Sequence, residues 1–497
     1  MECSIKLPLV PKHRLASVVS LILAILFATS EIPAESKPNI LFIFTDDQSH
    51  ETIHHLGNQE IITPHLDRLA QSGVAFTNAY NVGAWAGAVC IASRTSINTG
   101  RMVWNAHAIE RNLDEHVDNG EFWSQIMDRA GYETYMSGKW HVKTSTKPLF
   151  ENQANIRGGM PKQTPEGYFR PKENDPWSPD DPQFGGFWKG GKHWSEVLAD
   201  DAENFLEKAA HEDEPFFMYL AFSAPHDPRQ APREYLDMYT QSEIAVPDSF
   251  VPEYPLKQEI GCHMMDDGKG GVRAQRDESL SPWPRTPVGV QLHRHEYYAA
   301  ITHMDAQIGR ILDALEKTGK AANTYIFFTS DHGLACGHHG LLGKQNMYEH
   351  SVKAPLIVSG PGLQKNKTRE APVYLQDIMP TTIELAGAAI PDYVDFHSLL
   401  PQLKSAKAPS SYGAIYNCFR PDLQRMIRSG DHKLILYPEA KTYRLFNLKK
   451  DPTELEDLAS LGGKHARKAK QLFGQFLDLQ VKMNDPLDLT SLYTDLH

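Results

Sequence analysis

Residues 40–47 read ILFIFTDD: an unbroken apolar run, a threonine, then paired aspartates. A run this short with no polar alternation suits a strand buried on both faces, as in a parallel sheet. The layout recurs. Glu133–Met136 leads into Ser137-Gly138-Lys139-Trp140-His141, and Phe216–Phe222 (FFMYLAF) into Ser223-Ala224-Pro225-His226. Tyr325–Thr329 (YIFFT) closes in Ser330-Asp331-His332-Gly333, and Leu356–Val358 in Ser359-Gly360.

Helical patterns lie between these runs. Thr63-Pro64 opens a helix that Ser72-Gly73 closes. Ser195–Lys208 carries Val197, Leu198, Phe205 and Leu206 on one side. Tyr297–Leu315 repeats Ile301, Met304, Ile308, Ile311, Leu312 and Leu315 at helical spacing. Strands alternating with helices predict an α/β layer architecture. Ligands in such sheets sit beyond the carboxyl ends of the strands. Asp46, Asp47, Lys139, His141, His226, Asp331 and His332 are therefore expected on one rim.

Two stretches, residues 145–192 and 245–292, are rich in Pro, Gly and charge and read as loop insertions walling a site. The pattern changes past Pro391. Residues 401–412 resemble a linker, Met426–Arg428 and Lys433–Tyr437 suggest a hairpin, and His465–Met483 suits an amphipathic helix. The expected division is residues 1–35 as a signal peptide, 36–400 as a catalytic domain and 401–497 as a small C-terminal α+β subdomain.

The 497 residues carry a formal net charge of −12 and no basic run, which argues against nucleic acid as a partner. Any anionic substrate must find its positive charge gathered locally. Lys6, Lys12 and Arg14 precede the apolar run Leu15–Ala28, the layout of a cleaved secretory signal, and the run is short for a membrane span. This predicts an exported protein, periplasmic or secreted, without stable membrane insertion; an uncleaved anchor is the alternative. Cys3 leaves with the signal. Cys90, Cys262, Cys336 and Cys418 show no zinc-like pairing, and at most one bridge is expected.

Asp46-Asp47 alone, or Asp331-His332-Gly333 alone, suits a solvated turn. Together Asp46, Asp47 and Asp331 make a hard-cation site for calcium or magnesium, with His332 a less natural ligand. Lys139, His141, His226 and Lys344 beside it point to an anion-processing pocket.

Residues 88–102 read AVCIASRTSINTGRM. Cys90-Ile91-Ala92-Ser93-Arg94 with Thr99-Gly100-Arg101 resembles the signature of the type I sulfatases. Other blocks follow in order: Asn39–Asp47, Gly138-Lys139-Trp140-His141, Ala224-Pro225-His226, Ser330–Glu349 with its Gly343-Lys344, and Asp451-Pro452 with Glu454. The resemblance spans residues 38 to about 460. It implies an alkaline-phosphatase-like fold: a large mixed sheet between helices, with a small C-terminal antiparallel sheet.

The resemblance also implies a chemistry. A sulfatase-maturing enzyme oxidises Cys90 to formylglycine (3-oxoalanine), its small neighbours leaving the segment accessible. The aldehyde hydrates, calcium and Arg94 lower the pKa of one hydroxyl, and that oxygen attacks sulfur. His226 protonates the leaving oxygen, and His141 takes the proton that lets sulfate depart. Lys139 and Lys344, with His226, bind the sulfate group. Asp46, Asp47, Asp331, His332 and modified Cys90 hold calcium. Ala92 stands where proline is commoner, which bears on which maturation system accepts the chain.

The implied function is hydrolysis of sulfate from a sulfated carbohydrate. A phosphomonoester or phosphonate-ester hydrolase and a non-catalytic glycan-binding relative are the alternatives. His193, Trp194, Asp227 and Arg229, near the Pro-His block, are candidate sugar contacts, each equally a candidate for packing.

Overall fold

The structure, a computed structural model, describes residues 1–2, 37–159, 164–262, 265–266, 272–273 and 276–496. The expected signal peptide and Cys3 lie outside the described residues. No helix among the described residues is long and apolar enough to cross a membrane.

The run at residues 40–47 becomes β1 (Asn39–Thr45), inside an eight-stranded sheet. The other strands are β2 (Val74–Phe76), β3 (Glu133–Lys139), β4 (Asn152–Arg157), β5 (Phe216–Ala221), β6 (Thr324–Ser330), β7 (Leu356–Ser359) and β8 (Lys367–Arg369). Their order is β8-β2-β7-β6-β1-β5-β3-β4. From β4 to β6 every pairing is parallel; β7 pairs antiparallel with both β6 and β2.

The unbroken apolar run follows from burial on both sides. Ile40, Phe42 and Phe44 enter one core with Trp123 and Tyr219, while Leu41 and Ile43 enter the other. Each such side chain contributes roughly 1.5–3 kcal/mol by leaving water. The second core is roofed by α1 (Pro64–Ser72), α3 (Trp194–Ala210) and α4 (Pro287–Lys317); α2 (Val89–Thr99) lies on the opposite face. Pro64 opens α1 as expected, although the Thr63 hydroxyl bonds to Asp67 and caps nothing.

β4 corrects the reading of residues 145–192 as loop. Its sequence, NQANIR, has no apolar run because it is an edge strand with one neighbour, half open to solvent.

The C-terminal sheet is a meander of β9 (Ile415–Phe419), β10 (Gln424–Ser429), β11 (His432–Tyr437) and β12 (Thr442–Asn447). The expected hairpin joins β10 to β11, turning at Gly430 with φ +57°. The final helix, α5 (Gly463–Lys482), buries Leu472, Phe473 and Phe476 with Ile427, Leu434 and Leu436. Residues 38–497 form one compact unit. The meander is stitched to the rest by Ala84 N–H donating to Cys418 O (2.9 Å) and Arg420 N–H donating to Ala84 O (2.7 Å). Gln424 Nε2 donates to Gln345 O (3.0 Å), and buried Lys433 pairs with Glu349 (3.0 Å) and Glu454 (2.8 Å).

Candidate active site

The parallel strands deliver their polar ends to one rim. Asp46 and Asp47 follow β1, Lys139 ends β3, His226 follows β5, and Asp331 and His332 follow β6. Asp47 (φ +66°) and His141 (φ +54°) occupy the left-handed region, unusual outside glycine and found where a site constrains the chain.

Cys90 is the second residue of α2, where helix N–H groups point at the site and favour negative charge. Its Sγ lies 3.2 Å from His141 Nδ1. Burial alone would push the thiol up, but Lys139 and His141 hold it well below its ordinary range. Cys90 is 2% exposed, and Ala92, Ser93 and Arg94 are buried as well. The expected accessibility of this segment is therefore not met in the folded chain. Its small residues let α2 pack tightly instead.

Arg94 sits behind the cysteine, fully enclosed. Its Nε donates to Asp331 Oδ2 (3.0 Å), Nη1 to Lys139 O (2.9 Å) and Nη2 to Thr45 O (3.4 Å). All three nitrogens are engaged, so the guanidinium ties the ends of β1 and β3 to Asp331.

Asp46, Cys90, Asp331 and His332 each bring a ligand atom within 4.8 Å of the others. Asp46 Oδ1 is buried without a hydrogen-bond partner. Burial and the charge of Asp46 push Asp331 up, whereas Asp46, despite its burial, is held down by Lys139, its ion-pair partner. His332 loses basicity to burial but is driven up to about 10 by Asp331 and Asp47. Crowded carboxylates, one with a spare oxygen, suit a hard cation.

Lys344 Nζ donates to both Asp47 oxygens (2.7 and 2.8 Å) and lies 3.1 Å from His226 Nε2. Asp277 stands 3.7 Å away. Asp277 had no signal in the sequence, because it lies within the Pro- and Gly-rich insertion. Asp227 Oδ1 is 2.9 Å from His226 Nδ1, and its Oδ2 accepts from the Tyr168 hydroxyl (3.0 Å). Asp227 thus lies against the histidine ring.

The other candidate sugar contacts also move. His193 is 0% exposed, caps α3 and has Nε2 3.0 Å from Gln230 O. Arg229 is buried over the Tyr297 ring at 5.0 Å. Trp194 stays half-buried, but the Arg157 guanidinium covers its face. Cys90, Cys336 and Cys418 are free thiols; the side chain of Cys262 lies outside the described residues.

A backbone detail tests the role of His141. A Cβ on Gly159 would fall 2.5 Å from His141 Nε2 and 2.9 Å from Cε1, too close for the ring to stay in place. Gly159→Ala is expected to lower kcat by about tenfold to a hundredfold, the usual cost of displacing a reacting group by about an ångström. Thermal melting should move little. An unchanged kcat would show that the position of this imidazole does not limit turnover.

Comparison with known proteins agrees with this arrangement. A family model described as Sulfatase matches residues 38–388, and one described as N-sulphoglucosamine sulphohydrolase, C-terminal, matches residues 337–482. An N-acetylglucosamine-6-O-sulfatase of Bacteroides thetaiotaomicron is 27% identical, over 90% of this chain and 88% of its own. An arylsulfatase of Clostridium perfringens is 28% identical, over 85% and 90%. A structure solved in complex with its substrate D-glucosamine-2-N,6-O-disulfate superposes with TM-score 0.70 at 24% identity, covering 91% of this chain and 99% of that one. A phosphonate monoester hydrolase from Silicibacter pomeroyi superposes with TM-score 0.68 at 22% identity over 90% and 96%, a likeness of fold. With a family match running from the first residue before β1 to beyond β8, and the polar rim between them, the chain belongs to the sulfatase family, whose members hydrolyse sulfuric esters.

Proposed function

We propose that this sulfatase removes sulfate from a sulfated carbohydrate, using formylglycine made from Cys90 and a bound calcium ion. The observation that carries this reading is the convergence of Asp46, Cys90, Asp331 and His332 at the N-terminus of α2. Names of relatives support it: one acts on N-acetylglucosamine 6-O-sulfate, and another, from Formosa agariphila, is an ulvan-active sulfatase.

Asp46, Asp47, Asp331, His332 and converted Cys90 would hold calcium. The aldehyde hydrate supplies a hydroxyl nucleophile, and the cation supplies positive charge that eases its deprotonation. The chain's own residues do the rest. His141 Nδ1, 3.2 Å from Sγ, is placed to take a proton from the atom that replaces sulfur. Lys139 and Lys344 offset charge on the sulfate oxygens. The Asp227 carbonyl accepts from His226 Nδ1 (3.0 Å), with the Asp227 carboxylate 2.9 Å from the same nitrogen, which turns Nε2 toward Lys344 and the leaving group. Arg94 is a positioning residue that holds Asp331.

A phosphate-directed reading gains nothing from the second acidic group, Asp47, Asp227 and Asp277. The Lys344 ammonium already occupies its neighbourhood and neutralises Asp47.

Peptide mass spectrometry tests the nucleophile: protein made with a compatible maturing enzyme should carry formylglycine at residue 90. Fully active protein with an intact thiol would end this account. For the metal, chelation should remove at least about 99% of turnover, with calcium restoring it better than zinc because the ligands are mostly hard oxygens. Asp331→Asn should match chelation. Full activity after exhaustive chelation would remove the ion from the mechanism.

A further inference from the structure

Arg157 is the last residue of β4 and the register partner of Lys139, so it stands on the same rim as the reacting groups. Its guanidinium carbon lies 3.4 Å from the centroid of the Trp194 ring, and Nη1 donates to Ser223 Oγ at 3.2 Å. This is a fixed cation, stacked on an aromatic plane and held from one end. No carboxylate within ion-pair distance neutralises it among the described residues. Burial pushes it down to about 9 with no acid to offset the loss. A second cation, Lys189, approaches the same Trp194 ring at 5.2 Å and donates to Asn155.

Arg157 borders a hollow of about 330 Å³ that is also lined by His141, Lys143, Thr144 and Gly159. His141 forms the wall between this hollow and Cys90 Sγ. The volume accepts one substituted sugar ring. An arginine without an acidic partner, bordering a hollow next to a site that handles sulfate, suits an anion brought by the ligand.

We infer that the hollow between His141 and Arg157 is a second anion subsite, and that the substrate is a carbohydrate carrying a further acidic group, a second sulfate or a carboxylate, near the sulfate to be removed. The inference rests on the reading of the Cys90 centre as a carbohydrate sulfatase. No family block contains Arg157; the edge strand places it.

The test uses the matured, calcium-loaded enzyme with 4-nitrophenyl sulfate turnover as the reporter. Sulfated sugars compete in matched pairs that differ by one charge. One pair is N-acetylglucosamine 6-sulfate and N-sulfoglucosamine 6-sulfate. The other is a sulfated disaccharide with its uronate carboxylate intact or reduced to the alcohol. The wild type should bind the more acidic member of one pair about tenfold to a hundredfold more tightly, as expected for a charge-assisted contact. The pair that responds identifies the group as sulfate or carboxylate. Arg157→Gln should erase that preference, and Arg157→Lys should keep part of it. Equal inhibition within both pairs by the wild type, or a preference that survives Arg157→Gln, would overturn the inference. A wild type that hydrolyses no sulfate ester at all would instead bring down the sulfatase reading beneath it.

Discussion

Cys90→Ala should lower turnover of every sulfate ester by a factor on the order of 10⁴–10⁶, the range seen when a covalent nucleophile is deleted. Nothing nearby can substitute. His141 loses the group it faces at 3.2 Å, and the other nucleophile-sized side chains of α2, Ser93, Thr95, Ser96 and Thr99, are buried within the helix packing. The fold should survive, because removing one sulfur leaves only a small cavity. Melting temperature therefore serves as the control. Residual activity above about one per cent of the wild type, in protein free of wild-type contamination, would mean that Cys90 is not the nucleophile.

His226→Ala should separate substrates by their leaving groups. A sugar alkoxide needs a proton as the S–O bond breaks; nitrophenolate hardly does. General acid catalysis is worth about a hundredfold to ten-thousandfold, roughly 3–5 kcal/mol of barrier. The variant should lose most of its kcat/KM on a sulfated sugar and far less on 4-nitrophenyl sulfate. Lys344→Ala should harm both, since it removes charge from the sulfate site and frees Asp47 from its partner. The 3.1 Å contact between Lys344 and His226 adds an expectation about the double variant. Its losses on the sugar ester should be smaller than the product of the single losses, because the two groups act as a unit. Equal losses of His226→Ala on both esters would show that this histidine only binds sulfate or orients the site.

The elements that carry the site were legible because burial writes them plainly. A strand enclosed on both faces has to be apolar throughout, so ILFIF and YIFFT announce themselves, and the polar residues after them fall at the sheet's carboxyl rim. Residues without that protection were not legible. β4 pairs on one side only, so NQANIR carries no strand signature, and Arg157 went unseen. Asp277 reaches Lys344 across 67 residues of chain that no local pattern connects. Proximity to His226 in sequence left Asp227 and Arg229 equally open as sugar contacts or as packing. In the fold Asp227 lies against the His226 ring and Arg229 over the Tyr297 ring, contacts that the sequence does not announce. Arg94 was read as acting on the nucleophile made from Cys90; what it grips lies at the ends of three different strands.

The stitching of the C-terminal meander carries a consequence for how this chain can be cut, shuffled or inherited. Cys418 and Arg420 hold the backbone of Ala84, six residues before Cys90, while Gln424 holds the carbonyl of Gln345, the residue after Lys344. Two of the reacting groups are thus aligned from behind by a lobe that supplies neither of them. A gene truncated after residue 400 would encode every catalytic side chain and still deliver an idle protein. Exchanging lobes between relatives would succeed only where these backbone clasps travel together with the segments that they fasten.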